Sequence, residues 1–552
     1  MTGLLPPLPT YEECYSKFRW QMPTHFNIAE AVCDRHAAAR PDVPAIVYEG
    51  LDGRALTMTF GELQAQANRL ANVLVHYGVK RGDRVAIHLP QSFEAAFAHV
   101  AAYKLGAIAL PLFSLFGPDA LRHRLADSGA RILITCRDNL GVLDAVRDDL
   151  GALAHVLVTD GAALRDQGDL PRLMERASAT FETVRTRADD PAMLIYTSGT
   201  TGDPKGALHA HRVLLGHMPG VEFPHRYLPH DGDLMWTPAD WAWAGGLLDV
   251  LLPGLFHGVP VLAKRFAKFD PEAVFELMAR HKVRNTFMPA TALRMLRQYP
   301  DPGRFGVSLR SIASGGEALG EDLVGWGRET FGLTINEFYG QTEVNLVVGN
   351  NADVMPIKVG SMGRPIPGHE VALIDADGND VPVGEIGTVA VRRPDPVMFI
   401  EYWNKPDATA AKFIGDWCVL GDLAWRDEDG YFWFKSRDDD VIISSSYRIG
   451  PTEVEECLVR HPAVAMAGVI GSPDAVRGEV VKAYVVLAAG SAASETVRDD
   501  IQAFVKRQLS AHEYPRQIRF IEELPLTVTG KIQRMKLREL DVAERTGGDA
   551  GS

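Results

Sequence analysis

A glycine-rich loop at residues 196–206 holds the densest group of side chains that could bind a charged ligand. Its sequence, YTSGTTGDPKG, places three glycines, several hydroxyl groups and one lysine within eleven residues. Glycine lets backbone N–H groups approach a ligand closely, hydroxyl groups donate hydrogen bonds to phosphate oxygens, and lysine supplies positive charge. The Walker A spacing is absent, because Gly206 rather than Ser or Thr follows Lys205. The composition predicts a polyphosphate-binding loop, with a flexible surface loop as the alternative.

Six further motifs follow this loop along the chain. They are WTPADWAW (236–243), SGGEAL (314–319), NEFYGQTE (336–343), WCVLGD (417–422), FKSRDDDVIISSSYRIGPTEVE (434–455) and LPLTVTGKIQR (524–534). With the loop, they resemble in type and order the motifs of the adenylate-forming (ANL) superfamily, which contains acyl-CoA synthetases, nonribosomal peptide adenylation domains and firefly luciferase. The resemblance covers essentially the whole chain, and the segments SPDAVRGEVVKAYVVL and TVTGKIQRMKLR are most similar to medium-chain acyl-CoA synthetases.

The resemblance implies an AMP-forming acyl-CoA synthetase, which is an acid–thiol ligase that uses ATP and Mg²⁺, with CoA as co-substrate. In such an enzyme a carboxylate attacks the α-phosphorus of ATP, giving acyl-AMP and pyrophosphate, and the thiol of CoA then displaces AMP. The first step brings an anion to a polyanion. The site must therefore supply positive charge and oriented hydrogen-bond donors.

By this resemblance, four residues are expected to be catalytic: Thr197, Lys205, Glu343 and Lys531. Thr197 and Lys205 would hold the β and γ phosphates, and Glu343 would bind Mg²⁺ through a hard carboxylate oxygen. Lys531 would meet the substrate carboxylate and the α-phosphate during adenylation. The full set expected to bind ATP is Thr197, Ser198, Gly199, Thr200, Thr201, Gly202, Lys205, Gly316, Glu317, Ala318, Phe338, Tyr339, Gly340, Gln341, Thr342, Asp422, Arg437, Arg448 and Lys531.

Within this set, the resemblance assigns separate parts of the nucleotide to separate residues. Residues 316–318 would border the adenine, and either Phe338 or Tyr339 would stack on it. Asp422 would accept hydrogen bonds from the ribose hydroxyls, and Arg437 would lie on the far side of the nucleotide.

The acyl pocket is expected to be formed by Trp243, Ala244 and Gly340. Acetate-specific relatives have tryptophan at the position of Gly340 and valine at the position of Ala244, so two small residues imply a longer pocket here. The substrate is therefore expected to be a medium-chain, branched or aromatic acid. On this interpretation Gly340→Trp shifts the preference toward acetate or propionate. The motif also ends in Val344–Asn345 where the medium-chain enzymes more often have Thr–Gly, and the effect on the pocket is left open.

CoA is expected to contact Ser445, Ser446 and Tyr447. Ser446 stands where the family usually has glycine beside the pantetheine tunnel, so either the tunnel shifts or the use of CoA is weakened. Two alternative functions stay open: an acyl-adenylate former that transfers its product to a carrier protein, and a catalytically idle homologue that binds nucleotide. The presence of both Glu343 and Lys531 argues against the idle homologue.

Lys531 is also a candidate for modification. The segment PLTVTGK fits the Pro-x₄-Gly-Lys pattern found where acyltransferases acetylate such enzymes. Acetylation would remove the charge that adenylation needs. A protein acetyltransferase is therefore a candidate partner, beside the carboxylic acid, ATP and CoA.

The elements that position these residues follow an α/β pattern. Thr59 and Glu62 form a capping box before an amphipathic helix that extends to Tyr77, and short apolar strands then alternate with helices. This alternation predicts two parallel-sheet α/β units, followed by a small β unit and a mobile α+β C-terminal domain. The expected boundaries are an adenylation core at 1–437, a hinge at 438–440 containing Asp439, a lid domain with Lys531 at 441–540, and a flexible tail at 541–552.

Composition limits the other classes of function. The chain has 552 residues and a formal charge of −14, which argues against a protein that coats nucleic acid or anionic membrane. Five cysteines without CxxC spacing suggest neither a disulfide framework nor a thiolate metal site, so a cytoplasmic location is expected. Two uncharged segments, Leu105–Pro118 and Val250–Ala263, are too short to span a bilayer and are predicted to be buried strands. The oligomeric state is left open.

Overall fold

The computed structural model describes residues 3–161, 167–197, 204–266, 268–317, 319–437, 440–444, 447–474, 477–509, 513–527 and 530–548. These residues belong to two compact units. The first contains the described residues of Met1–Thr197, Pro204–Val371 and Val391–Cys418, and the second contains those of Ala372–Ala390 and Val419–Ser552. No helix among the described residues is long and apolar enough to cross a membrane.

The strands, in chain order, are β1 Pro44–Glu49, β2 Ala55–Thr59, β3 Arg84–His88, β4 Ile108–Pro111, β5 Ile132–Thr135, β6 His155–Val158, β7 Gln167–Asp169, β8 Pro191–Tyr196, β9 Gly206–Ala210, β10 Met235–Trp236, β11 Val261–Lys264, β12 Asn285–Phe287, β13 Ser311–Gly315, β14 Asn336–Gln341, β15 Asn345–Gly349, β16 Arg364–Pro365, β17 Val371–Ile374, β18 Ile386–Arg392, β19 Glu401–Tyr402, β20 Phe413–Ile414, β21 Trp417–Arg426, β22 Phe432–Arg437, β23 Ile442–Ser444, β24 Tyr447–Ile449, β25 Val464–Asp474, β26 Gly478–Leu487 and β27 Gln517–Phe520.

The α-helices are α1 Tyr11–Lys17, α2 Arg35–Ala39, α3 Phe60–His76, α4 Phe93–Lys104, α5 Pro118–Ser128, α6 Leu140–Asp144, α7 Leu170–Arg176, α8 Val213–Glu222, α9 Ala244–Gly246, α10 Leu252–His257, α11 Pro271–His281, α12 Ala290–Arg297, α13 Glu321–Phe331, α14 Pro406–Ala410, α15 Pro451–Val459, α16 Glu495–Gln508 and α17 Arg534–Gly548. Two π-helical turns, Glu30–Asp34 and Leu247–Leu251, and three 3₁₀ turns, Arg137–Asn139, Arg147–Asp149 and Pro302–Phe305, complete the helical elements of the described residues.

Two large sheets form the first unit. One has the order β19-β9-β8-β4-β3-β5-β6-β7, and its strands are parallel from β8 to β7, whereas β9 and β19 are antiparallel. The other has the order β16-β15-β14-β13-β12-β10-β11-β1-β2 and is parallel between β14 and β1. The α/β fold predicted from the alternation of strands and helices is confirmed.

The predicted capping box shows how local sequence sets an element of this unit. Helix α3 begins after Thr59, whose hydroxyl accepts from the backbone N–H of Glu62, while the Glu62 carboxylate accepts from the N–H of Thr59. These bonds satisfy two donors that a helix start leaves unpaired. The apolar face behind them, including Leu63, Leu70 and Leu74, is fully buried.

The predicted buried strand at Val250–Ala263 is wrong for most of its length. Leu247–Leu251 is π-helical, Leu252–His257 is α-helical, and only Val261–Lys264 is a strand. All of these residues but Lys264 are buried or nearly so, and an uninterrupted apolar run cannot distinguish a buried helix from a buried strand. The other such segment, Leu105–Pro118, contains the short strand Ile108–Pro111 and the start of a helix.

The second unit contains a small antiparallel β unit, in which β22 pairs with β21, and a C-terminal α+β domain. In the domain, β24, β23, β26 and β25 are neighbours in this order and β27 adds to β26. Helices α15 and α16 contribute Val454, Leu458, Ile501 and Val505 to its core. The predicted small β unit and C-terminal α+β domain are therefore both present, and the helices and strands of the domain have clear apolar periodicity.

Candidate functional site

The predicted phosphate loop joins two antiparallel strands of the first unit. Tyr196 at the end of β8 pairs with Gly206 at the start of β9. The Thr197 N–H donates to the carbonyl of Lys205 at 2.9 Å, and the Thr197 hydroxyl donates to the same oxygen at 3.3 Å. The structure therefore brings the two ends of the loop together and places Thr197 beside Lys205.

Glu343 lies in the tight turn between β14 and β15. Its side chain is 7% exposed, and its backbone carbonyl accepts from the N–H of Phe399 at 2.8 Å. One carboxylate oxygen, Oε1, accepts a hydrogen bond from the hydroxyl of Tyr402. Within the described ranges, Oε2 has no hydrogen-bond partner. A nearly buried carboxylate with one such oxygen suits a hard divalent cation.

Tyr402 connects the two predicted phosphate-binding residues and was missed by the sequence reasoning. It lies in β19, which pairs with β9 so that Tyr402 is opposite Ala207. The Lys205 ammonium lies 5.4 Å from the centre of the Tyr402 ring, within range of a cation–π interaction. A two-residue strand at a sheet edge has no periodicity, so the sequence carried no signal for this contact.

On the predicted adenine side, the structure separates Phe338 from Tyr339. Phe338 is buried and its ring stacks on Phe287, with centroids 5.4 Å apart. Tyr339 follows it in β14 and is partly exposed, so it is the better candidate for a stacking face. The Glu317 carboxylate accepts from the Thr291 hydroxyl at 3.1 Å and from Arg294 at 3.0 Å, which fixes this edge of the predicted pocket.

The three predicted acyl-pocket residues have different surroundings. Trp243 and Ala244 are partly exposed at the start of α9, and the Trp243 ring lies 5.5 Å from the Phe287 ring. At Gly340, by contrast, a Cβ atom would overlap the backbone carbonyl of Asn345 in the adjacent strand. Any side chain at position 340 must therefore displace main chain. Gly340→Trp can shorten the pocket only if the Asn345 backbone moves, and the shift toward acetate or propionate stays a prediction.

Asn345, which stands where the medium-chain enzymes more often have glycine, has two unusual features. Its φ of 49° lies in the left-handed region, and its side chain is buried. Neither its amide nitrogen nor its amide oxygen has a hydrogen-bond partner in the described part of the chain. An unpaired buried polar group of this kind costs about 1–3 kcal/mol.

In the second unit, Asp422 and Arg437 lie side by side, although Arg437 was expected on the far side of the nucleotide. They are directly opposite on β21 and β22, and Arg437 Nη1 lies 3.3 Å from Asp422 Oδ1. The Asp422 side chain is 6% exposed and the Arg437 side chain is 36% exposed. The pair can present a carboxylate to a diol while its charge is partly compensated.

Lys531 lies in a tight hairpin turn of the same unit and is exposed. The Lys531 carbonyl accepts from the N–H of Thr527 at 2.7 Å, and its own N–H donates to the Thr527 hydroxyl at 3.0 Å. Gly530 adopts a φ of 87°, which only glycine takes readily, and so permits the turn. The backbone of the predicted adenylation lysine is thus fixed, and the residue is exposed.

A buried ion-pair network, here called the Asp440 clamp, follows this turn. Arg534, at the start of α17, contacts Asp440 at 3.1 Å and Glu455 at 2.6 Å, and Arg538 contacts Asp440 at 2.8 Å. Burial lowers the pKa of Arg534, but Glu455 and Asp440 outweigh it and the net pKa is raised. The clamp joins the helix after Lys531 to Asp440, the one described residue of the predicted hinge at 438–440.

Other predicted residues fall elsewhere. Gly316 follows β13 with a φ of 87°, Gln341 ends β14, and Thr342 lies in the turn before Glu343. Tyr447 and Arg448 are in β24. The predicted site residues that lie outside the described residues are Ser198, Gly199, Thr200, Thr201, Gly202, Ala318, Asp439, Ser445 and Ser446.

Comparison with known protein families gives matches to both parts of the chain. Residues 33–403 match the AMP-binding enzyme family, and residues 453–531 match the AMP-binding enzyme C-terminal domain. An acetyl-coenzyme A synthetase of Bacillus subtilis (strain 168) is 37% identical over 549 residues, which cover 96% of this chain and 95% of that protein. The mitochondrial acyl-coenzyme A synthetase ACSM3 of Homo sapiens is 34% identical and covers 96% and 92%.

Solved structures give the same assignment. The anthranilate CoA ligase AuaEII in complex with anthranoyl-AMP has a TM-score of 0.88 at 29% identity, covering 95% of this chain and 99% of that one. A benzoate CoA ligase from Burkholderia xenovorans LB400 has a TM-score of 0.82 at 28% identity, covering 93% and 100%. Family, relatives and fold agree over nearly the whole length. The chain belongs to the AMP-binding enzyme family, in the adenylate-forming superfamily, and is an AMP-forming acyl-CoA ligase.

Proposed function

We propose that this ligase activates a medium-chain, branched or aromatic carboxylic acid as its acyl-adenylate and transfers the acyl group to CoA. The observation that carries the proposal is the aromatic cluster of Trp243, Phe287 and Phe338, beside which the small residue Ala244 is partly exposed. Sites for apolar ligands are lined mainly by apolar and aromatic side chains, which stabilise a bulky acyl group more than an acetyl group. Solved neighbours that are anthranilate and benzoate ligases favour this size class, whereas the Bacillus relative is an acetyl-CoA synthetase.

The first unit supplies the groups for the triphosphate. Thr197 and Lys205 bind the β and γ phosphates, and Lys205 adds positive charge against them. Glu343 holds Mg²⁺ through its carboxylate, and the bound ion neutralises phosphate charge when ATP is present. Glu317 and Tyr339 border the adenine.

The second unit supplies the groups for the ribose and for the reacting centre. Asp422 accepts the ribose hydroxyls, supported by Arg437. Lys531 meets the carboxylate and the α-phosphate oxygens as negative charge develops on them, which lowers the barrier to adenylation. In the second half-reaction the lid domain turns about Asp439 and presents Ser445, Ser446 and Tyr447 to CoA, so the domain boundaries at 437 and 441 belong to the same proposal.

The test is pyrophosphate release from a panel of acids from acetate to decanoate, with branched and aromatic acids, measured with and without CoA. Turnover that requires CoA and favours acids longer than propionate supports the proposal. Preference for acetate overturns the acyl assignment. A stoichiometric burst that CoA does not convert to turnover indicates a carrier-protein acceptor, and no release with any acid indicates an idle homologue.

Lys531 is in addition proposed as a site of acetylation. Its place in an exposed hairpin turn makes it accessible to an acetyltransferase. The check is to acetylate the protein and then treat it with a deacetylase while adenylation is measured. Activity that does not return when Lys531 is deacetylated argues against this regulation. A cytoplasmic location stays a prediction from the cysteine content.

A further inference from the structure

Tyr402 contacts two side chains of opposite charge, Glu343 and Lys205. The Glu343 carboxylate contacts the hydroxyl end of Tyr402, and the Lys205 ammonium lies over the ring at 5.4 Å. Neither Lys205 nor Glu343 forms an ion pair with any described residue. The two charges therefore share one uncharged neighbour, Tyr402.

Tyr402 is itself held firmly enough to do this. Its side chain is 5% exposed, and its ring packs against Phe399 at a centroid distance of 5.0 Å. Its backbone pairs with Ala207, and its N–H donates to the Thr409 hydroxyl at 2.9 Å. The backbone pairing fixes the position of Tyr402 at the sheet edge next to Lys205, and the packing against Phe399 orients its ring.

The chemistry of a phenol suits this place better than that of a charged residue. Its hydroxyl donates to one carboxylate oxygen without cancelling the charge, so Glu343 keeps its full affinity for a cation. Its ring face attracts an ammonium without neutralising it. An arginine or lysine here would pair with Glu343 and occupy it.

We propose that Tyr402 is a positioning residue that orients Glu343 toward Mg²⁺ and keeps Lys205 free for phosphate. The inference rests on the proposed roles of Glu343 and Lys205. It adds a residue that none of the seven sequence motifs contains. Removing the hydroxyl releases Glu343, and removing the ring releases Lys205 as well.

The test compares Tyr402→Phe, which keeps the ring, with Tyr402→Leu, which removes it. Mn²⁺ replaces Mg²⁺ and is titrated by electron paramagnetic resonance into the full-length protein with α,β-methylene ATP. Loss of a residue that orients a metal ligand typically weakens metal binding about 10- to 100-fold. We expect Tyr402→Phe to weaken Mn²⁺ binding about tenfold with little change in metal-free binding of the analogue. Tyr402→Leu should weaken metal-free binding of the analogue too.

Two controls isolate the effect. Tyr103→Phe removes another buried tyrosine hydroxyl, one that contacts His99 at 3.2 Å, and should leave Mn²⁺ affinity unchanged. In a Glu343→Gln background the effect of Tyr402→Phe should disappear, because it acts through the carboxylate. Thermal unfolding of each variant shows whether it is folded.

The outcomes separate this inference from the proposed function. Equal Mn²⁺ affinity in the wild type and Tyr402→Phe overturns the positioning role, as does an unchanged effect in the Glu343→Gln background. If Glu343→Gln alone leaves Mn²⁺ affinity intact, the metal assignment of the proposed function has failed instead. Recovery of adenylation by Tyr402→Phe at high Mg²⁺ supports the inference.

Discussion

The predicted catalytic charges of the two units are held in opposite ways. In the first unit, Lys205 and Glu343 are held by neutral contacts with Tyr402, within a sheet edge and a tight turn. In the second unit, Lys531 extends from an exposed turn, and the charges around its base are fully paired in the Asp440 clamp. Within the described residues Lys205 and Glu343 have no ionic partner, whereas Arg534 and Arg538 both pair with Asp440 in the clamp.

The two units therefore compensate buried charge in different ways, one by neutral contacts and the other by ion pairs. A buried ion pair is stable only while both partners remain, and removal of one leaves an uncompensated charge. A carboxylate held by a hydroxyl keeps its charge for a later partner. The two units should therefore respond differently to loss of a single group.

The largest effect is expected at the Asp440 clamp. Asp440→Asn removes the buried charge that Arg534 and Arg538 share, while Arg534 keeps Glu455, and should destabilise the second unit by about 3–5 kcal/mol. Urea unfolding followed by circular dichroism measures this loss. The control is Asp499→Asn, which changes the same charge at an exposed position of α16. A loss no larger than that of the control would show that the clamp is not structural.

Lys531 should show the next largest effect, on activity and not on stability. Lys531→Ala removes a charge from the transition state, which typically costs about 2.7–4 kcal/mol, so adenylation should fall at least about a hundredfold. Thioester formation from supplied acyl-adenylate should survive. Lys536→Ala, in the first turn of α17, removes an exposed lysine nearby and serves as the matched control. Equal loss in both half-reactions would remove Lys531 from the adenylation step.

Asp240 of the first unit offers the counterpart to Asp440, since it is a poorly compensated carboxylate. Burial raises its pKa to about 6, although Ala242 N–H and the Ser114 hydroxyl donate to it. Because the folded pKa exceeds the unfolded value, stability is fullest below the unfolded pKa near 4 and falls as pH rises toward 6. Asp240→Asn should therefore be neutral near pH 4 and stabilising by about 2–3 kcal/mol at pH 7. Unfolding free energies at both pH values test this, and an equal difference at the two values would contradict it.

The sequence predicted the parts of the fold that local pattern determines. The capping box of α3, the short parallel strands and the C-terminal elements all have clear periodicity or end signals, and the structure contains them. The helical segment Leu247–His257 was missed because an apolar run lacks periodicity. The motif residues Asp422 and Arg437 are adjacent because they lie on paired strands, and Thr197 and Lys205 are adjacent because they flank the paired ends of β8 and β9.

The remaining site features depend on contacts between distant segments. Tyr402 reaches Glu343 across 59 residues of chain, and nothing near either residue indicates the contact. The overlap at Gly340 arises because β15 shifts its register against β14, which no residue type signals. Sequence motifs therefore predicted candidate ligand-binding groups but not the residues, such as Tyr402, that contact them.

Substitution of Asn345 is expected to have the smallest effect on stability, and it tests whether the first unit leaves a buried polar group unpaired. Its unpaired amide costs about 1–3 kcal/mol, and glycine accepts its left-handed φ without strain. Glycine gains entropy on unfolding, which offsets roughly 0.5–1 kcal/mol of the benefit. Asn345→Gly should therefore stabilise the protein by about 1 kcal/mol in urea unfolding. Asn345→Ala removes the amide but keeps the strained φ, so it should gain less. If both variants lose stability, the Asn345 amide has a hydrogen-bond partner. The first unit would then pair this buried polar group, as the second unit pairs Asp440.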